Sequence, residues 1–392
     1  SSRVPFTKIT ITAGSSDAVV SGITVERTGY SVNANFAGIV LLDEDGTQLD
    51  IAKTLGSTNQ AIIGGTFTVK AGTSKTLTVA GNMNTGLAAY AGQVAGLTVV
   101  AVNATSVSGT LPITGAMHTI NGTLTIGTTT VGTSSYDPGS AQSKEIGTAG
   151  YKFTGMRITA GSAEDVRLKS IRFYQAGSVA SGDLANAMIY VDGTAYPTTV
   201  SSDGKYYTAS FGSGIVVAKG LAKDIYIAGD IVGSGAAGRT VDFDLYKNTD
   251  LYIVGETYGQ GIIATGSAGN VNMTSTPAVN GYVVTVSAGS FTTVAKATSV
   301  AAQNIAINLA SQVLGGYEVD IKGEAISVQT QVFHFATSTA SIGASMITSV
   351  SLYDENGAVV AGPVDAVVDG VSTQKVTFTD TVTYPIGKHT YT

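Results

Sequence analysis

The run Lys8-Ile9-Thr10-Ile11-Thr12 alternates polar and apolar side chains and gives way to Ala13-Gly14-Ser15. A period of two built from Ile and Thr marks a strand with one dry and one wet face. Thr suits the wet face: its branched β-carbon stiffens extended backbone while its hydroxyl meets water. The same alternation returns in Thr66-Phe67-Thr68-Val69, Thr76-Leu77-Thr78-Val79, Asp224-Ile225-Tyr226-Ile227, Thr285-Val286-Ser287 and Lys375-Val376-Thr377-Phe378-Thr379. Asp45-Gly46, Asp192-Gly193, Asp203-Gly204 and Asn356-Gly357 punctuate these runs, supplying the positive φ angles of tight hairpins. Helical periodicity is nearly absent. Residues 297–314 are the best helix candidate, yet Asn304-Ile305-Ala306-Ile307-Asn308 alternates inside them and reads as strand. Short helical turns are expected before Leu41, near residues 184–187 and before Leu352.

Ile11-Thr12-Ala13-Gly14-Ser15 recurs as Ile158-Thr159-Ala160-Gly161-Ser162, an offset of 147 residues (Gly14 to Gly161). Asp45-Gly46 recurs as Asp192-Gly193 at the same offset of 147 (Gly46 to Gly193), and Lys75-Thr76-Leu77-Thr78-Val79-Ala80-Gly81 as Lys223-Asp224-Ile225-Tyr226-Ile227-Ala228-Gly229 at 148 (Lys75 to Lys223). Three anchors in order at one spacing define a repeat. A third copy is fainter: Tyr317-Glu318-Val319-Asp320-Ile321-Lys322-Gly323 stands for its first strand, Leu352-Tyr353-Asp354-Glu355-Asn356-Gly357 echoes Leu41-Leu42-Asp43-Glu44-Asp45-Gly46, and residues 387–392 resemble the start of the 72–79 strand. Each copy holds about seven short strands, the grammar of an immunoglobulin-like sandwich. The expected fold is therefore all-β, tandem immunoglobulin-like β-sandwich domains. Residues 1–117 form the first module. Residues 118–266 form a linking strand plus the second, and residues 267–392 a linking strand plus the third. Leu124-Thr125-Ile126 and Val283-Val284-Thr285-Val286 are the expected linking strands. The first copy shows no such lead, and the third stops inside a strand at His389-Thr390-Tyr391-Thr392, so both ends read as cut within a module.

Of 392 residues, 43% are hydrophobic and only 12% charged, with 49 Gly, no Trp, no Cys and a formal net charge of −6. A chain this apolar can bury a core, which argues against disorder. Nucleic acid needs clustered Lys and Arg to replace phosphate counterions, and 21 basic residues spread over the chain make no cluster. The same dispersal excludes a polybasic membrane patch, and no apolar run approaches the ~20 residues of a membrane-spanning helix. Without Cys there are no disulfides, thiolate metal sites or cysteine nucleophiles.

The stretches VPFTKITITAG (residues 4–14), NFAGIVLLDEDGTQL (35–49) and GTFTVKAGTSKTLTVAGNM (65–83) resemble the repeated immunoglobulin-like modules of large secreted surface proteins, S-layer-like, of candidate-phyla (Parcubacteria-like) bacteria. Those modules carry a Val-Pro-Phe-x-Lys opening, a hydrophobic-(Tyr/Leu)-Asp-x-(Asp/Asn)-Gly hairpin and a (Val/Ile)-x-Ala-Gly-Thr-x-Lys-Thr-Leu-Thr strand. The first copy matches all three at residues 4–8, 41–46 and 69–78. The second replaces residues 70–75 with Lys219-Gly220-Leu221-Ala222-Lys223, and the third lacks the opening. The resemblance implies an extracellular, cell-surface structural role and brings no catalytic residues.

Nothing in the residues assembles an enzyme. A serine-hydrolase triad needs a strand–turn–helix elbow, and Gly212-Ser213-Gly214 has neither the spacing nor a following helix. The three His are His118, His334 and His389, too scattered for a metal pair, and alternation in Val332-Phe333-His334-Phe335 turns His334 away from the two Phe. Gly233-Ser234-Gly235-Ala236-Ala237-Gly238 has dinucleotide-motif spacing but runs into the strand Arg239-Thr240-Val241-Asp242-Phe243, not a helix. In Tyr206-Tyr207, a pair of adjacent aromatic residues, one ring is expected inside and one outside. No cofactor is expected. Calcium is the single candidate, at acid-rich turns: Asp43, Asp45 and Asp354 are the ligand candidates, with Glu44 and Asp50 beside the first two, Glu355 beside Asp354, and Glu164-Asp165 as a further candidate turn. One hairpin supplies two or three of the six to eight oxygens that calcium takes, so a second loop would have to contribute.

The expected function is a non-enzymatic, self-assembling subunit of a surface layer or extracellular filament. Its partner is a second copy of itself, with the cell envelope or neighbouring cells beyond. The alternative is a cell-surface adhesin or a carbohydrate- or protein-binding array. Open sheet edges at residues 1–12 and 376–392 would join subunits by strand complementation; the alternative is that the chain is a fragment of a longer array. Val4, Phe6, Ile9, Val376, Phe378 and Tyr391 are the candidate interface residues.

Overall fold

The computed structural model describes the chain except residues 1, 234, 302, 305–308 and 337–346. Most of the strand expected at Asn304-Ile305-Ala306-Ile307-Asn308, and the centre of the Gly233-Ser234-Gly235 string, lie outside the described residues. The rest is all-β, strung as tandem sandwiches, and among the described residues the only helical pieces are short 3-10 turns. Turns at Asn33–Asn35 and Ser181–Asp183 fall where the sequence places them; two others, Leu87–Tyr90 and Asn248–Asp250, carry no sequence signal. Among the described residues no helix is long and apolar enough to cross a membrane.

In the first sandwich, strands β1 (Ser2–Thr12), β2 (Ala18–Thr28), β3 (Phe36–Leu42), β4 (Gln48–Lys53) and β5 (Gln60–Ile63) are followed by β6 (Phe67–Val69), β7 (Ser74–Met83) and β8 (Val94–Ala104). The short strands β9 (Ile113–Thr114) and β10 (His118–Thr119) then pair with β8. One sheet runs β1-β7-β3-β4, and the other runs β10-β8-β2-β5. Alternation delivers Phe6 and Ile9, Ile23 and Val25, Ile39 and Leu41, Leu77 and Val79, and Leu97 and Val99 into one core between the sheets. The architecture is the two-sheet immunoglobulin-like one, with first and last strands exchanged relative to an antibody domain. Here β1 pairs β7, and the closing strand β8 pairs β2.

The second sandwich repeats this plan. Its strands are β11 (Thr129–Thr133), β12 (Gln142–Glu145), β13 (Tyr151–Ala160), β14 (Val166–Gln175), β15 (Leu184–Val191) and β16 (Thr194–Pro197). They continue with β17 (Thr199–Val200), β18 (Tyr206–Val217), β19 (Ala222–Ile231), β20 (Thr240–Val241), β21 (Phe243–Asp244), β22 (Leu251–Gly255) and β23 (Gly261–Ile262). The sheets run β11-β13-β19-β15-β16 and β17-β18-β14-β22-β23. The lead strand is β11, pairing Thr129 with Ala160 and Thr133 with Met156, and not the earlier Leu124-Thr125-Ile126, which forms no strand. Glu164 fixes that lead in place. Its carboxylate is 3% exposed and accepts hydrogen bonds from the backbone N–H of Gly127 (2.6 Å), Thr257 (2.7 Å) and Tyr258 (3.3 Å). The acid read in sequence as a distant calcium candidate is thus a buried staple between the linking segment and the turn after β22.

Beyond β23 come β24 (Ser267–Ala268), β25 (Val271–Asn272) and β26 (Val284–Ser287). Val271, Val279, Val284 and Val286 lie in the second core, which therefore reaches past residue 266. The Val283-Val284-Thr285-Val286 run expected to lead the third module instead pairs with β12, in parallel, and with β20. The third module is led by β27 (Ser290–Lys296), which pairs with β28 (Tyr317–Lys322). It continues with β29 (Ile326–Val328), β30 (Gln331–Ala336), β31 (Val350–Tyr353), β32 (Val359–Val364), β33 (Val367–Val368), β34 (Thr373–Phe378), β35 (Val382–Tyr384) and β36 (Gly387–Tyr391). The expected equivalence of the 387–392 strand with the start of β7 is present: β36 pairs β28 as β7 pairs β1.

The Glu164 staple yields a measurable expectation. Removing a buried acceptor strands its donors and forfeits charge-assisted bonds. E164A should lower unfolding free energy by about 2–3 kcal/mol, with exchange at Gly127 and Thr257 amides accelerating first in hydrogen-exchange mass spectrometry.

Candidate functional site

The residues that carry the chain's most distinctive geometry join one sandwich to the next. β23 pairs with β22 on one side and with β1 on the other, matching Ile262 to Ser2 and Gly261 to Arg3. One sheet of the first sandwich therefore continues through main-chain hydrogen bonds into a sheet of the second. Arg3 seals the crossing. It is buried, with Nε 2.8 Å from Asn82 Oδ1 and Nη2 2.8 Å from Gln48 Oε1. Burial pushes the guanidinium down to about 10, with Tyr252 and Asp250 opposing, so it stays charged at neutral pH.

The hairpin between β3 and β4 plugs the same joint. Ser170 Oγ donates to the Asp45 carbonyl at 2.9 Å. Gly46 holds φ +82 and lies so close to the Tyr252 ring that a Cβ there would sit 2.1 Å from it. Gly is needed twice over at this position, for the left-handed backbone and for the close approach. The joint between second and third sandwiches is also made of glycine: Gly147 and Gly323 take φ +86 and +94, and a Cβ on Gly147 would meet the Gly323 carbonyl at 2.5 Å. A Cβ on Gly323 would meet Gly289 Cα at 2.8 Å.

The calcium candidates do other work. Asp43 Oδ1 accepts the Glu44 N–H and Asp43 Oδ2 lies 2.7 Å from Lys75 Nζ. Asp45 accepts the Thr47 N–H, and Asp354 accepts the N–H groups of Asn356 and Ala358, which holds its carboxyl below the usual range. Among the described residues no group of three or more metal-ligating side chains forms. Instead the turns share a latch to the strand beside them. Lys75 meets Asp43, Lys223 meets Asp192 at 2.7 Å, and His389 Nδ1 meets Glu355 at 2.9 Å. Glu44 also accepts the Thr76 N–H (2.7 Å), and Asp192 the Asp224 N–H (2.9 Å). The Glu355 bond, with the Ile386 carbonyl, raises the His389 pKa above its ordinary value. The cations of the first two latches hold matching places in the repeat, since Lys75 and Lys223 both lie at the start of the same strand.

The candidate interface residues lie elsewhere than an interface requires. Val4, Phe6, Ile9, Val376, Phe378 and Tyr391 are all 9% exposed or less, packed in the first and third cores. A side chain inside its own core is not offered to a partner. What β1 offers is backbone. β11 covers β13 from Met156 to Ala160 and β27 covers β28, whereas β1 past Phe6 pairs only with β7 among the described residues. On its other side Ser2 and Arg3 meet β23, and the Phe6 carbonyl accepts the Ala116 N–H at 2.8 Å.

Other titratable groups make contacts within the fold. His118 Nε2 is 3.0 Å from the Pro5 carbonyl, and His334, outward on β30 as expected, is 3.2 Å from Asp369. Tyr207 is buried and Tyr206 half-buried, the alternation expected of that pair. Sequence gave no sign that Tyr206 belongs to a cluster: Tyr174 stands 5.1 Å from it and 4.9 Å from Tyr246, with the Arg172 guanidinium 4.5 Å above the Tyr206 ring. A second ladder stacks Tyr190 on Tyr226 at 4.8 Å, with Lys152 over Tyr136 and Tyr226. Asp242 and Asp244 flank Gly281. Asp244 accepts the Gly281 N–H at 2.7 Å, while Asp242 Oδ1 is buried without a partner. Burial, with the Asp244 charge, pushes Asp242 up to about 6.

No family model matches the chain, and no curated protein matches it. Among solved structures it is similar to the major pilin subunit BcpA of Bacillus cereus, at 8% identity over 94% of this chain and 87% of that one, with a TM-score of 0.19. The full-length major pilin RrgB of Streptococcus pneumoniae matches at 11% identity over 94% of this chain and 56% of that one, TM-score 0.18. A Bacteroides ovatus protein, SGBP-B of the mixed-linkage glucan utilization locus, matches at 9% over 94% and 70%, TM-score 0.13. Superpositions this loose carry no functional argument.

Two expectations follow. G46V should lower unfolding free energy by about 1–3 kcal/mol through overpacking and backbone strain, and adding Y252A should recover part of the loss in urea titrations. Asp242 titrates higher folded than the ordinary carboxylate value of 3.8, so its protonated form favours the fold. That contribution is complete below the unfolded value and is lost as pH rises through about 6. D242N should therefore melt higher than the parent protein at about pH 8, with the difference gone by about pH 4.

Proposed function

We propose that this chain is a structural protein of the bacterial cell surface, a non-enzymatic subunit that polymerises with copies of itself into a filament or layer. The observation that carries the reading is the β22-β23-β1 crossing, where sandwiches are strung by continuing one sheet into the next. A chain that builds its internal joint from sheet edges has the means to build an external one the same way. Head-to-tail use of such an edge is heterologous association, which grows open filaments rather than closed pairs. Low charge favours close packing of copies, since few side chains would repel.

A second reading, a surface module that binds glycan or protein, is favoured by the half-buried Tyr174, Tyr206 and Tyr246 cluster beside Arg172. Aromatic faces with a nearby polar fork suit sugar rings and peptide backbones alike.

Negative-stain electron microscopy of the purified protein separates the two. Fibres or sheets that thicken with protein concentration are expected, and a monodisperse field of single particles at every concentration would overturn the polymer reading.

A further inference from the structure

Three Asn-x-Thr triplets occur in the chain: Asn103-Ala104-Thr105, Asn121-Gly122-Thr123 and Asn272-Met273-Thr274. Such a triplet is the acceptor pattern for an N-linked sugar when its middle residue is not proline. The fold treats the three differently. Asn103 lies within β8, half-buried, and its Nδ2 is directed at Thr24 Oγ1, 3.4 Å away. Asn121 follows β10 and Asn272 ends β25, so each lies between the closing strand of one sandwich and the lead strand of the next. Their separation, 272 − 121 = 151, is close to the repeat offset of 147 (Gly14 to Gly161).

The local geometry of these two is the same. Thr123 donates to Asn121 Oδ1 from Oγ1 at 2.9 Å and from its backbone N–H at 2.8 Å. Thr274 donates to Asn272 Oδ1 from Oγ1 at 2.8 Å and from its N–H at 3.2 Å. Both Asn and both Thr are exposed. Met273, between the second pair, is buried in the second core, and its carbonyl accepts from Asn248 Nδ2 at 2.9 Å. That turn is anchored from beneath while Asn272 and Thr274 face water. A side-chain amide is a poor nucleophile because the nitrogen lone pair is delocalised onto Oδ1. To attack, Nδ2 must shed a proton, and the charge so released gathers on Oδ1. Two donors already aimed at that oxygen stabilise the charge as it develops.

We infer that Asn121 and Asn272 are acceptor sites for an N-linked oligosaccharide, one in each segment that links two sandwiches. The donor is an oligosaccharide carried on a lipid pyrophosphate, and the transferase acts in trans. Nδ2 bonds to the anomeric carbon of the sugar. The bond from that carbon to the pyrophosphate oxygen breaks, its electron pair leaves with the pyrophosphate, and one Nδ2 proton passes to a base of the transferase. The sites suit the composition: with 12% charged residues the surface gains little solubility from charge, and a glycan supplies hydration without it. The inference takes only the cell-surface setting from the proposed function, and it stands whether or not copies polymerise.

The test incubates the folded full chain with a single-subunit oligosaccharyltransferase, a lipid-pyrophosphate-linked oligosaccharide and a synthetic Asn-x-Thr peptide that reports turnover. Peptide-mapping mass spectrometry should find sugar on Asn121 and Asn272, with Asn103 trailing by about tenfold or more because β8 must open locally to release it. A synthetic peptide of residues 98–108, freed from the sheet, should be modified as readily as the reporter. T123S and T274S keep the hydroxyl and should each retain the sugar. T123V and T274V should each lose one, with circular dichroism unchanged. A modified reporter beside bare Asn121 and Asn272 overturns the inference. Equal occupancy of all three Asn in the folded chain overturns the part played by the turn. Sugar that persists on the N121Q/N272Q double variant lies elsewhere, and sinks both sites. Chain isolated from its own cells should carry the same two glycans, and finding both peptides there at unmodified mass overturns their use in life. Occupancy is read on single chains, so a protein that never forms fibres leaves the result as it is.

Discussion

Every strand carries unpaired N–H and C=O groups along both edges, and each of them must find a partner or meet water. That demand organises this chain more than its side-chain packing does. The lead strands β11 and β27 cover the first-strand edges of the second and third sandwiches. β8 and β22 close the opposite sheets, and β23 spans from one sandwich to the next. Where backbones must come closest, at Gly46 over Tyr252 and at Gly147 against Gly323, side chains are dispensed with altogether. The acids of the turns serve the same end, since Glu44, Asp192 and Glu164 each accept a main-chain N–H from a different strand or segment.

Much of this was legible in the sequence because the pattern of period two is written residue by residue. Ile9 and Ile11 face inward because Lys8, Thr10 and Thr12 face outward, and one slip of register would reverse them. The repeat of Lys75 through Gly81 at Lys223 through Gly229 located β7 and β19 and, with them, the latch cations. What alternation does not encode is which edge meets which. Val284 and Val286 read as the lead of the third sandwich because their pattern is that of any strand, but parallel pairing with Gln142–Glu145 draws them into the second core. Glu164 read as a turn carboxylate suited to calcium because only the fold brings Gly127 and Thr257 to it. The Tyr174, Tyr206 and Tyr246 cluster joins three positions far apart in sequence, so no local pattern announces it.

The interface residues illustrate a general confusion between a strand and its edge. Alternation singles out Val376 and Phe378 as apolar, and apolar residues near a chain terminus invite an association argument. In the sheet their side chains point between layers and are 0% and 1% exposed, while the groups able to recruit another strand lie at right angles, in the plane of the sheet. Sequence periodicity reports the first direction and is silent on the second.

How edges are defended sharpens the difference between those left to water and those suited to a partner. Native edges are blunted by charge, proline or bulges. β4 carries Lys53 and a positive-φ Asp50, and pairs β3 through a register shift. β16 ends at Pro197. β30 has none of these: Gln331-Val332-Phe333-His334-Phe335-Ala336 contains no Lys, no Pro and no acid, and it pairs β34 through six residues without a register shift. A straight edge free of Lys, Pro and acids lacks the usual devices by which one strand turns another away.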